Sequence, residues 1–114
     1  MADLEVKVAK GRSQSVKIKP TFEGSPVPNQ VVFDNDLSDL KDITTVGALV
    51  GNVSTGLVNV PITGTNEGTE ETKLVFKYTG NDSVVENIGI STKLCTVIVG
   101  PEFSVTVNPL TTDI

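Results

Sequence analysis

The stretch LVNVPITGTNEGTEETKLVFKY, residues 57–78, decides the fold class of this chain. Apolar residues occupy every second position on both sides of its polar centre. An apolar period of two is typical of a β-strand that buries one face. The stretch therefore predicts two strands, 57–63 and 72–79, joined as a pair by the polar hairpin loop 64–71. We expect Leu74 and Phe76 to lie in the core with Val60 and Ile62.

Further short strands are predicted on both sides of this pair, with turn signals roughly every ten residues. They lie at 4–11, 16–22, 30–34 and 44–50, within 84–99 as one strand or a hairpin, and at 103–107. Leu37 and Leu40 are three residues apart, which predicts one short helical turn between the third and fourth strands. We predict a single all-β domain over residues 1–114, a sandwich or barrel, with 110–114 as a frayed tail.

The charge balance argues against two classes of partner. The chain has 9 basic and 14 acidic residues, which gives a net charge of −5. Because phosphates repel an acidic surface, we expect binding neither to nucleic acid nor to an anionic membrane. Basic residues are concentrated near the start of the chain, where we interpret them as a solvated strand face: Lys7, Lys10, Arg12, Lys17 and Lys19.

The base used in most nucleophilic arrangements, histidine, is missing. The chain has no histidine and a single cysteine, Cys95, which sits in the apolar run LCTVIV. We predict that this thiol is buried and inert, because a catalytic thiol needs a neighbouring base. Glu67, Glu70 and Glu71 fall in the predicted loop, where water keeps carboxylates from acting as an acid/base pair. We therefore predict that the protein is not an enzyme and has no catalytic residue or cofactor.

The segment DNDLSDLKD contains the one cluster of carboxylates, Asp34, Asp36, Asp39 and Asp42. Its first two aspartates match the start of a calcium-binding loop. The sixth position should be glycine but is Asp39, and the twelfth should be glutamate but is Thr45. The alternative, which we favour, is a turn or cap in which aspartates accept backbone N–H bonds. We accordingly predict no metal site.

The start of the chain, MADLEVKVAKG, carries charges where a signal peptide needs an apolar run. No stretch approaches the ~20 apolar residues of a membrane helix. We expect synthesis in the cytoplasm, without a signal peptide or a membrane span.

The order SVKIKPTF, VVF, LVNVPIT, TKLVFKYTG and SVTVNP resembles bacterial and phage immunoglobulin-like domains over residues 16–109. The resemblance implies an immunoglobulin-like β-sandwich of seven to nine antiparallel strands. Such domains decorate capsids, tails or fibres in phage, and in bacteria they space out surface adhesins.

On this resemblance we expect a non-enzymatic virion protein that decorates or stabilises a phage head. The partner would be the major capsid protein or another virion protein, with self-association on the particle left open. Contacts are expected from loops, termini or sheet edges, with the loop 64–71 and the segment of Lys7, Lys10 and Arg12 as first choices. The alternative is a surface- or carbohydrate-binding module of an adhesin, although a lone tyrosine, Tyr78, provides little sugar platform.

Overall fold

The computed structural model describes residues 3–80 and 89–107, and this part of the chain is all-β. It contains ten strands and no helix. The strands are β1 Leu4–Ala9, β2 Ser13–Ile18, β3 Thr21–Phe22, β4 Ser25–Pro26, β5 Val31–Phe33, β6 Thr44–Val46, β7 Val50–Asn52, β8 Leu57–Gly64, β9 Gly68–Tyr78 and β10 Ile90–Gly100.

The strands form two main sheets. Sheet A has the order β1-β10-β9-β5, and sheet B has the order β2-β8-β6, with β7 also paired to β8. The pairs within both sheets are antiparallel, except that β1 runs parallel to β10. The prediction of purely antiparallel strands is therefore wrong for the first strand, which pairs with a strand about ninety residues later in the chain.

One hydrophobic cluster joins the inner faces of the two sheets. From sheet B, the alternate residues Val58, Val60 and Ile62 are fully buried. From sheet A, Leu74 and Phe76 are buried, as predicted. The rest of the cluster comes from Val6, Val16, Ile43, Cys95, Val97 and Val99. The period of two thus identifies the buried faces of β8 and β9 correctly.

The predicted pairing of the two strands within 57–78 is wrong. Strand β8 belongs to sheet B, whereas β9 pairs with β10 and β5 in sheet A. The chain leaves one sheet at Gly64 and enters the other at Gly68, so that the crossover segment 65–67 links two sheets. Thr65 donates its backbone N–H to the carbonyl oxygen of Ile43 over 2.8 Å, which ties this segment to the start of β6.

Local turn chemistry explains several strand limits. Pro20 follows the end of β2, where its missing N–H cannot continue the ladder. Glu23 and Gly24, both with positive φ, then form the two-residue turn of the β3–β4 hairpin. The predicted strand 44–50 is divided into β6 and β7, because the ladder on β8 is interrupted at Gly47–Leu49.

The predicted helical turn around Leu37 and Leu40 does not form. Instead, Asp39 exchanges two backbone hydrogen bonds of 2.8 Å with Lys73, and the Ser38 hydroxyl accepts the N–H of Val75. The segment therefore lies along the edge of β9, next to Val75, which is buried on the outer face of sheet A. Leu37 is exposed and Leu40 packs against the core, so the two do not share an apolar face.

The predicted last strand, 103–107, is also wrong. Residues 101–107, here named the arm, form no strand, and every one of them is exposed. Phe103, Val105 and Val107 expose 66%, 78% and 70% of their surface. The other predicted features of the C-terminal half, the beginning of the strand or hairpin within 84–99 and the tail 110–114, lie outside the described residues.

We predict that Phe76→Ala lowers the free energy of unfolding by about 3–5 kcal/mol, since it removes a buried ring and leaves a cavity. Phe76 is 5% exposed, and its ring packs edge-on against Phe33 with centroids 5.9 Å apart. Urea denaturation measures the change. The control is Val32→Ala, at an exposed position of β5. A loss below about 1 kcal/mol for Phe76→Ala would contradict the buried face assigned to β9.

Candidate functional site

The first carboxylate of the acidic segment stabilises a turn. Asp34 accepts the N–H of Leu37 through Oδ1 over 2.9 Å, and its Oδ2 lies 2.7 Å from Nζ of Lys77. The hydrogen bond from Lys77, followed by that from Leu37, lowers the pKa of Asp34 below its ordinary value. These contacts are those expected of a turn aspartate, and they occupy both of its carboxylate oxygens.

The other aspartates of the segment are directed to different neighbours. Asp39 forms a 2.8 Å ion pair with Lys41, which lowers the pKa of Asp39 and raises that of Lys41. Asp36 and Asp42 are exposed. Across residues 3–80 and 89–107, no three side chains of His, Cys, Asp or Glu are grouped so as to hold a metal ion.

The glutamates assigned to a hairpin loop lie elsewhere. Only Glu67 is in the crossover segment, whereas Glu70 and Glu71 belong to β9, opposite Val97 and Thr96 of β10. Neighbouring residues of a strand point to opposite faces, so Glu70 and Glu71 do not converge. All three are exposed. They form no pocket in which a carboxyl pKa would be raised for acid/base chemistry.

Cys95 is buried, as predicted, on the inner face of β10. Burial raises the pKa of its thiol to about 11. The neighbouring Thr72 donates its hydroxyl to the Cys95 carbonyl oxygen over 2.8 Å. Because the thiolate is the nucleophilic form, this environment disfavours reaction at neutral pH. The inertness of Cys95 stays a prediction.

The basic residues near the start of the chain do not form one strand face. Lys7 is on β1 of sheet A, and Lys17 is on β2 of sheet B; each alternates with core residues and is exposed. They therefore lie on opposite outer faces of the sandwich. Lys10 and Arg12 are exposed at the corner between these strands, where the Arg12 N–H donates to the Ala9 carbonyl oxygen.

An exposed apolar turn that includes β7 is a candidate contact surface that sequence analysis does not predict. Val53 is 74% exposed, and Val50 on β7 is 61% exposed. Asn52 holds the turn: its Oδ1 accepts the N–H groups of Ser54 and Thr55, and its carbonyl oxygen accepts that of Gly56. We name residues 50–56 the Asn52 turn. The motif GNVSTG predicts a turn, but sequence alone does not indicate that its valines stay uncovered.

A groove of about 420 Å³ opens between the sheets where β2 ends and β10 begins. Its apolar wall includes Ile18, Val31 and Phe76, and lysines at 19, 77 and 93 also line it. Tyr78 lines it as well, with its ring stacked on Phe22 at a centroid distance of 4.3 Å. One face of the tyrosine is therefore already covered, which limits it as a sugar platform.

Comparisons with known proteins leave the function open. No family profile matches the sequence, and no curated protein is similar to it. A solved structure described as the solution structure of amebosin aligns over 86% of this chain and 90% of its own, with a TM-score of 0.44 and 21% identity. A likeness at this level supports no conclusion. Among the described residues, no helix is long and apolar enough to cross a membrane.

We predict that Asp34→Asn destabilises the protein at neutral pH and that this difference disappears in acid. The variant keeps an oxygen for the Leu37 N–H but loses the charge opposite Lys77. Because the pKa of Asp34 is lowered in the folded state, its contribution is present above the unfolded-state pKa and is lost as pH falls through the folded-state value.

Melting temperatures at about pH 7 and about pH 2.5 measure this effect. The control is Asp36→Asn, an exposed position in the same turn. A gap between Asp34→Asn and the wild type that is equally large at both pH values would contradict the ion-pair explanation.

Proposed function

We propose that this chain is an immunoglobulin-like β-sandwich that attaches, without catalysis, to a phage particle as a head decoration protein. Its strand order supports the fold assignment. If β2, β8 and β6 are equated with strands B, E and D, and β5, β9 and β10 with C, F and G, the sheets match those of constant-type immunoglobulin domains. The first strand departs from that pattern, because β1 pairs with the G equivalent.

The observation that carries the attachment proposal is the uncovered Asn52 turn. A rigid apolar protrusion is suited to insertion into a partner's surface, because little conformational entropy is lost when it binds. Val53 is held in the Asn52 turn, where Asn52 makes three hydrogen bonds, and Val50 adds exposed apolar surface at the β7 end of the same turn. Neighbouring exposed apolar side chains on a structured turn are more typical of a contact surface than of a solvated loop.

The particle as partner rests on the resemblance of the strand pattern to phage immunoglobulin-like domains. Charge contributes to association in a secondary way. The chain is acidic overall, while Lys10 and Arg12 provide a local basic corner. Charges of this exposed kind mainly change the association rate and its salt dependence. We therefore assign affinity to the apolar turn and steering to the basic corner.

Co-sedimentation with particles that lack this protein tests the proposal. The purified protein should bind saturably and in a fixed ratio to a capsid or tail protein. Val53→Asp should raise the dissociation constant at least about tenfold, because a carboxylate would be buried in the contact. Leu37→Asp is the matched control, since Leu37 is exposed and apolar but lies beside sheet A. We expect it to bind like the wild type.

Two results would contradict the proposal. Equal binding by Val53→Asp and the wild type would remove the Asn52 turn from the contact. Failure to bind any virion component, together with turnover of a glycan or peptide, would replace attachment with enzymatic activity.

A further inference from the structure

We infer that the contact proposed for the Asn52 turn continues across the outer side of sheet B, and that the partner is a flat protein surface with a carboxylate opposite Lys17. This inference rests on the proposed attachment and specifies the chemistry of the partner. We name the outer side of sheet B the B face. Its strand residues are Ser13, Ser15 and Lys17 of β2, Thr45 of β6, Val50 of β7, and Leu57, Asn59, Pro61 and Thr63 of β8.

The Asn52 turn and the B face form one continuous surface. Val50 pairs with Asn59 of β8, and Asn59 pairs with Lys17 of β2. Because the neighbouring Val58 and Val60 are fully buried, this row of three residues points away from the core. All three are exposed. Neighbouring strands are roughly 4.8 Å apart, so the backbone of Lys17 lies about 10 Å from that of Val50.

The B face is depleted of charge. Among its strand residues Lys17 is charged and none is acidic, although the chain has 14 acidic residues. The outer face of sheet A, by contrast, presents exposed charges of both signs, at Glu5, Lys7, Glu71 and Lys73. Because charged residues are depleted at the centre of protein interfaces, the B face has the composition of a contact surface, and the outer face of sheet A has that of a solvated one.

Short side chains make the B face flat and favour its dehydration. Beyond the row of Lys17, Ser15 lies opposite Pro61, and Ser13 lies opposite Thr63. The hydroxyl groups of Ser13 and Thr63 are hydrogen-bonded to each other. These groups therefore keep a hydrogen-bond partner when a docking surface removes water from the face.

Charge and area argue against other occupants. Two B faces packed on each other would supply no carboxylate for either Lys17. The eight residues of β8 span roughly 26 Å and three strands roughly 14 Å, so the face covers on the order of 400 Å². A standard interface buries about 800 Å² on each partner, so this face alone does not support a stable self-dimer. Nucleic acid and anionic bilayers are bound through several cations, whereas this face has one.

The partner supplies a negative charge because Lys17 lies within the contact. Burying an ammonium group without a counter-charge is strongly unfavourable, and a carboxylate on the partner removes that penalty. The exposed valines of the Asn52 turn provide apolar area, while a charge pair at Lys17 fixes how the two surfaces are aligned.

Co-sedimentation with particles that lack this protein tests the inference through two pairs of variants. Ser15→Arg places a long charged side chain in the middle of the B face, and Lys17→Glu sets a carboxylate against the partner's carboxylate. Each should raise the dissociation constant at least about tenfold. The matched controls, Thr69→Arg and Lys7→Glu, make the same charge changes at exposed positions on the outer face of sheet A. They should bind within about twofold of the wild type.

Melting temperatures establish that the variants are folded. All four positions are exposed, so each variant should melt within about 3 °C of the wild type. If Ser15→Arg does not, Thr45→Arg replaces it, because Thr45 is exposed on the same face at the edge strand β6.

The outcomes separate this inference from the attachment on which it rests. Loss of binding by Val53→Asp, together with normal binding by Ser15→Arg and Lys17→Glu, would keep the attachment and overturn the inference. Equal losses for Lys17→Glu and Lys7→Glu would assign the effect to net charge and also overturn it. Failure of the wild type to bind any virion component would remove both proposals.

Two further measurements test the other occupants. Sedimentation velocity of the purified protein should show a monomer, and a dimer that Ser15→Arg dissociates would make a second copy the occupant. The wild type should bind neither vesicles containing phosphatidylserine nor duplex DNA. Binding to either one that Lys17→Glu abolishes would assign the B face to phosphate groups and overturn the inference.

Discussion

The arrangement of the molecule depends on the close contact of its two sheets at Gly64. A Cβ atom at this position would lie 2.8 Å from Cγ1 of Val99 and 3.1 Å from Cγ1 of Val8. Both valines belong to sheet A, while Gly64 ends the central strand of sheet B. Only a residue without a side chain lets the backbone of β8 approach the other sheet this closely, and the crossover between the sheets begins at this residue.

Two other loops are hydrogen-bonded to Gly64 or to the crossover segment that follows it. The Gly11 N–H donates to the Gly64 carbonyl oxygen, and the Gly64 N–H donates to that of Arg12. These bonds fix the corner through which the chain passes from β1 to β2. On the other side of the crossover, the side chain of Asn66 donates to the carbonyl oxygen of Asp42, which has a positive φ. The crossover thereby helps to hold a backbone conformation that is unfavourable for residues other than glycine.

The exposed features described above lie at two opposite ends of the sandwich. The crossover, the basic corner and the start of the arm lie at the end where β8 and β10 finish. The groove and the Asn52 turn lie at the end where these strands begin.

Much of the fold could be predicted from the sequence, because alternation identifies which face of a strand is buried. Val60, Ile62, Leu74 and Phe76 are all in the predicted core. Alternation does not identify a strand's partner, so β8 and β9 were wrongly joined as a hairpin. The polar start of β9 was interpreted as loop, although Glu70 and Glu71 pair with β10 where the sandwich is open to water.

The exposed apolar residues were harder to predict. The alternation of Phe103, Val105 and Val107 predicts a paired strand, but within residues 3–80 and 89–107 no strand pairs with the arm. The sequence indicates that residues 103–107 could form a strand. Only the three-dimensional arrangement shows that no neighbouring strand for them exists in the described part of this chain. The exposure of Val50 and Val53 cannot be predicted from the sequence either, because it depends on how the Asn52 turn projects from sheet B.

The most direct test of this account is the effect of one methyl group at Gly64, measured by urea denaturation. Neither Gly64 nor Gly100 has a positive φ, and a Cβ at Gly100 meets nothing within 4 Å, so Gly100→Ala is a matched control. The account predicts that Gly64→Ala lowers the free energy of unfolding by about 1–3 kcal/mol through overpacking. It predicts a change within about 0.5 kcal/mol for Gly100→Ala. Equal effects at the two positions would contradict the close contact of the sheets at Gly64.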